Sequence, residues 1–109
     1  MNYKTIIIPG SRYSEIISID EILLCKGMGS YTEIDLTDNR KLTVSKNLHW
    51  FEQRLCPEYF FRAHKSFIIN LLHISKIFKL ENMVCLTNGT QIPISRSRKG
   101  LLWEKLSCL

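Results

Sequence analysis

Short β-patterned runs, separated by turn residues at close intervals, constrain this chain more than any other feature. Ser14 to Ile19 alternates, with Ile17 and Ile19 on one face. Ile22 to Cys25 is a brief apolar run ahead of two glycines. Tyr31 to Leu36 sets Tyr31, Glu33 and Asp35 opposite Thr32, Ile34 and Leu36, the period of two expected of a half-buried strand. Asp38-Asn39 then reads as a turn returning through Lys41 to Val44, so 31–44 is an expected hairpin. Lys76 to Leu80 and Met83 to Thr87 form a second expected hairpin. Asn88-Gly89 is a strong turn signal before Thr90 to Ile94. Tyr3 to Pro9 is also β-rich.

Two helices break this rhythm. Ser45 is a candidate cap, and Leu48, Phe51, Glu52 and Leu55 share a face until Pro57 stops the helix. Trp50 broadens the buried side. A short terminal helix is expected over Lys99 to Leu106, with Leu102, Trp103 and Leu106 inward. Strands outnumber helices, so the expected fold is mostly β, a sandwich or roll of short antiparallel sheets carrying small helices. At 109 residues the chain is one domain, long enough for a real core.

Charge is unevenly distributed. Residues 1–58 hold seven Lys/Arg against eight Asp/Glu, whereas residues 59–109 hold eight Lys/Arg against only Glu81 and Glu104. The second half therefore carries a balance of +6, and with it the leading expectation of nucleic acid as partner. No apolar run approaches the ~20 residues of a membrane span, and no long basic amphipathic helix suits a membrane surface. Cys25, Cys56, Cys85 and Cys108 lie 31, 29 and 23 positions apart, without zinc-like spacing. Reduced, structural thiols in a cytoplasm are expected, with no metal and no cofactor.

Three segments carry candidate chemistry. Lys26-Gly27-Met28-Gly29-Ser30-Tyr31 combines free backbone, a cation and two hydroxyls but lacks the spacing of a phosphate-binding P-loop. Arg62 to Ser66, set among Tyr59, Phe60, Phe61 and Phe67, offers Arg62 for phosphate, Lys65 for phosphate or guanine, and His64 and Ser66 beside them. His64 reads more readily as a structural histidine than as a base contact, and Phe60, Phe61 and Phe67 read as core and not as stacking platforms. Ser95 to Lys99 places Arg96, Arg98 and Lys99 among Ser95 and Ser97, pinned by Ile92-Pro93-Ile94. No nucleophile motif, carboxylate pair or metal-binding signature supports an enzyme. The rival of a different class is a β-roll interaction module whose basic half binds an acidic protein.

From about Ile16 to Leu106 the chain resembles the LytTR DNA-binding domains of bacterial response regulators. The resemblance is carried by Ile19-Asp20-Glu21-Ile22, Gly29-Ser30-Tyr31-Thr32, Phe61 to Leu71, and Asn88-Gly89 leading into Ile92-Pro93-Ile94-Ser95-Arg96. It implies an elongated, nearly all-β domain that inserts loops into successive major grooves, contacts the minor groove between and bends the duplex. It implies promoter repeats bound as a homodimer, with a receiver domain commonly preceding. Here none precedes the motif, which is expected of a stand-alone regulator or an excised domain. By position the contacts would come from Ser30, Tyr31, His64, Lys65, Arg96, Ser97 and Arg98, to which the direct reading of the three segments adds Lys26, Arg62, Ser66 and Lys99 as candidate DNA-binding residues. The family often has Asn at Ser30 and Arg at Lys65. Ser97 falls where some members place an arginine, which leaves open whether Arg96 or Arg98 reads a base.

Overall fold

A computed structural model describes residues 4–109. Among the described residues, ten strands form three antiparallel sheets. The first sheet pairs β1 (Thr5–Ile8) with β2 (Glu15–Ser18). The central sheet has the order β5-β4-β3-β7-β6, built from β3 (Ile22–Met28), β4 (Tyr31–Leu36), β5 (Lys41–Val44), β6 (Phe60–His64) and β7 (Phe67–Asn70). The third, ordered β10-β9-β8, holds β8 (Ile74–Phe78), β9 (Met83–Leu86) and β10 (Gln91–Pro93). Helix α1 spans Leu48–Arg54 and α2 spans Lys99–Ser107. The mostly β fold is as the alternation implies, and Tyr3 lies outside the described residues.

Both faces of the central sheet are covered, each by its own core. One face buries Ile22, Cys25, Ile34, Leu36, Val44, Phe60 and Ile68 against α1 and the β1–β2 hairpin. The other buries Leu24, Phe61, Ala63 and Ile69 against the third sheet and Leu102 of α2. A bulge between Ile22 and Leu24 breaks strict alternation, so Leu23 and Leu24 are both buried. Asn70, fully buried, ties the layers. Its Nδ2 donates to the carbonyls of Ile19 (3.1 Å) and Ile22 (2.9 Å), and its Oδ1 accepts from the Leu72 N–H (3.0 Å). A buried amide with its partners made is tolerable; one left unmade would cost about 1–3 kcal/mol.

Several boundaries differ from the sequence reading. Asn47, not Ser45, caps α1, its Oδ1 accepting from the Trp50 N–H at 3.0 Å. Pairing of Thr32 with Val44 carries β5 up to Ser45, so the chain turns into the helix only two residues later. Trp103 is 41% exposed rather than inward, with the Lys79 ammonium 5.8 Å above its ring. Cys25 continues into strand through Lys26, Gly27 and Met28, because β4 pairs with the whole stretch and β7 with it as far as Lys26.

Candidate nucleic-acid interface

Strand register brings the three singled-out segments to one end of the central sheet. Gly27 pairs with Thr32 and Thr32 with Val44, while Lys26 pairs with Phe67 and Phe67 with His64. Five strands thus end at nearly one level. Along that rim come the β3–β4 tip at Gly29-Ser30, the β6–β7 turn at Lys65-Ser66, and Ser95, whose N–H donates to the Ala63 carbonyl at 2.8 Å. Ala63 sits at the bulge of β6, which bends the edge strand and presents its carbonyl to the incoming segment. At a strand spacing of about 4.8 Å, tip and Ser95 segment lie roughly 15–20 Å apart along the rim.

The tip depends on two glycines. Gly29 holds φ +77°, a left-handed conformation that costs other residues strain. Gly27 donates its N–H to the Ser66 carbonyl at 2.8 Å, and a Cβ there would press on Leu48 at 3.3 Å. Lys26, Ser30 and Tyr31 are all exposed. Tyr31, exposed, lies on the same side of β4 as Glu33 and Asp35, which are half-buried. Burial pushes the Asp35 carboxyl above its ordinary range, against the pull of Lys41.

The neighbouring turn is braced instead. Arg62 Nη1 meets Glu52 Oε1 of α1 at 2.9 Å, and its Nη2 donates to the Lys65 carbonyl at 2.5 Å. Arg62, expected on a phosphate, therefore spends its guanidinium within the protein. Arg98 behaves alike, its Nε donating to the Arg62 carbonyl at 3.0 Å with its guanidinium 4.9 Å above the Phe61 ring. Lys99 Nζ donates to the Lys79 carbonyl at 2.6 Å. His64 Nδ1 accepts the Ser66 N–H at 3.2 Å, and its ring tilts on Phe67. What remains outward is Lys65, Arg96 and Ser97, all exposed. Among the described residues, Lys65 and Arg96 make no side-chain hydrogen bond or ion pair.

Sequence reasoning missed one contribution. Thr32 Oγ1 donates to the Lys46 carbonyl at 2.7 Å, drawing Lys46, Asn47 and His49 to the same end. Asn47 and His49 border, with Gly27, Gly29, Arg62, Lys65 and Ser66, a hollow of about 250 Å³. A lone lysine between a strand and a helix has no sequence signal; only the strand pairing reveals its place. Cys25 is buried, which pushes its thiol up to about 12 and leaves it no nucleophile. Among the described residues no helix is long and apolar enough to cross a membrane, and no metal-ligating cluster occurs.

The profile of the LytTr DNA-binding domain matches residues 13–107. The chain belongs to that family. It is 40% identical over 76 residues to the transcriptional regulatory protein LytR of Staphylococcus aureus, a match covering 65% of this chain and 31% of that protein. It is 37% identical over 105 residues to the heme-containing CO-sensing transcriptional regulator RcoM 2 of Paraburkholderia xenovorans, covering 91% of this chain and 39% of that one. The LytTr chain thus spans about a third of the length of these relatives. Its fold matches the LytTr DNA-binding domain of a putative methyl-accepting/DNA response regulator from Bacillus cereus, with a TM-score of 0.79, 20% identity, and coverage of 96% of this chain and 98% of that one. The family is one of DNA-binding domains.

Proposed function

We propose that the rim formed by the β3–β4 tip, the β6–β7 turn and the 95–99 segment enters double-stranded DNA, reading sequence in its grooves. The observation that carries this reading is the sorting of cations at that rim. Arg62 and Arg98 are consumed as braces, whereas Lys65 and Arg96 stand free on the framework they brace. Ser30 and Tyr31 at the tip, and Lys65 and Arg96 beyond it, are the base and phosphate contacts; His64, Ser66, Ser97 and Lys99 support them. Lys26 adds charge beside the tip. Between the two candidate arginines, Arg96 is the base reader.

The spacing supports bending. Main-chain segments fanned over roughly 15–20 Å fall short of the about 34 Å that separates successive major grooves on one face. A duplex curved toward the rim closes that gap, at a cost of order 1–6 kcal/mol offset by the added contacts. Promoter repeats bound by a homodimer in the cytoplasm, under a receiver or other sensing domain of a longer protein, complete the proposal. The two-thirds of LytR and RcoM 2 outside the matched region support that last element.

Selection of preferred sites from random duplex DNA tests the reading, followed by a salt titration on the winner. About five phosphate contacts should give a slope of log K against log salt near −4 to −5. A flat profile, or no preference over scrambled duplex, removes the proposal.

A further inference from the structure

A second basic surface lies beyond the tip. A groove of about 700 Å³ runs between the β1–β2 turn and β5, lined by Ser11, Arg12, Tyr13, Thr43, Ser45 and Lys46 among others. β5 is the outermost strand of the central sheet on the side of the β3–β4 tip. The Lys46 main chain is fastened to β4 by Thr32, so the groove adjoins the end of the strand that carries the tip. It extends the line of rim segments outward.

Its chemistry is that of a phosphate track. The carboxylate of Glu15, which also lines it, is already bridged to Arg40 at 2.9 Å. Lys41 is shared with Glu33 and Asp35 at 3.8 Å each. Arg12 and Lys46 are left as cations without a carboxylate partner among the described residues, Lys46 lying only 5.9 Å from the Trp50 ring. Serine, threonine and tyrosine hydroxyls between them, with Tyr13 73% exposed, supply donors suited to phosphate oxygens.

We infer that this groove holds the DNA backbone flanking the recognition site, on the side of the β3–β4 tip, and contributes affinity without reading sequence. The inference rests on the proposed function and deepens it. Continuity with the rim favours duplex DNA over an acidic protein, which would have no reason to align with the tip.

The test uses the whole chain and three duplexes: the minimal selected site, and that site lengthened by about one helical turn on either flank. Lengthening one flank should tighten binding roughly threefold or more and steepen the salt slope by about 1–2, one unit per phosphate gained. Lengthening the other should change neither. Arg12→Ala should abolish the gain while leaving the minimal site unaffected, and Arg12→Lys should keep most of it. Equal affinity for all three duplexes overturns the groove and leaves the rim standing. A gain that survives in the Arg12→Ala/Lys46→Ala double variant does the same. Failure to bind any duplex overturns both readings.

Discussion

The β3–β4 tip and the β6–β7 turn lie side by side on one rim, yet they are held in opposite ways. The turn is cross-braced: Glu52 to Arg62, Arg62 to the Lys65 carbonyl, Arg98 to the Arg62 carbonyl, Ser95 to Ala63. The tip has only its strand register, the left-handed Gly29 and the Gly27–Ser66 contact. Bracing fixes the backbone that carries Lys65 and Arg96, so in the proposed reading the ordering cost left for DNA binding lies in those two exposed side chains and not in the turn. The tip can adapt. Of the three arginines on this rim, Arg62 and Arg98 are engaged within the protein, and the proposed reading makes them framework and not DNA contacts.

The largest expected effect separates framework from reader. Arg96→Ala should cost about 1–3 kcal/mol on the preferred site and relax its base preference locally, with the melting temperature unchanged. Equal loss on specific and random duplex would make Arg96 a positioning contact.

Arg62→Ala comes next, with an expected loss of about 1–2 kcal/mol of fold stability after discounting for partial exposure. That corresponds to a fall in melting temperature of roughly 5–10 °C. The salt slope should not change. Arg62→Lys sharpens the point: it keeps the charge but not the two-pronged bracing, and should melt low as well. A slope reduced by about 1 with melting intact would return Arg62 to the phosphates.

At the tip, Gly29→Ala should cost about 1 kcal/mol of stability through its positive φ, whereas Gly29→Asn should recover much of it. The smallest effect is expected of Ser30→Ala, within about 0.5 kcal/mol by melting. Its signature belongs in binding alone. A large melting change there would mean that the tip is braced after all.

The strands were legible because alternation is local: Tyr31 to Leu36 announces its two faces in six residues, and the buried Thr32, Ile34 and Leu36 obey. The family and the three rim segments were legible too, through motifs contiguous in the chain. What escaped the sequence is long-range. Nothing in Arg62 or Arg98 declares that one will pair with Glu52 and the other with a carbonyl 36 positions away. Trp103 was misplaced because a short helix on a sheet edge buries a narrow stripe, and Leu102 fills it. Ser45 lost the cap to Asn47 because β5 pairing, a tertiary constraint, runs up to that point.

Amide hydrogen exchange of the whole chain, with and without its selected duplex, tests the central claim most directly. Binding should slow exchange at residues 28–31, 64–66 and 95–98, most at the tip, where the free protein is least braced. The opposite-end turn at Asp38-Asn39 and the Asn88-Gly89 turn should exchange as before. Protection confined to those distant turns, or spread evenly with none concentrated at the rim, would contradict the account.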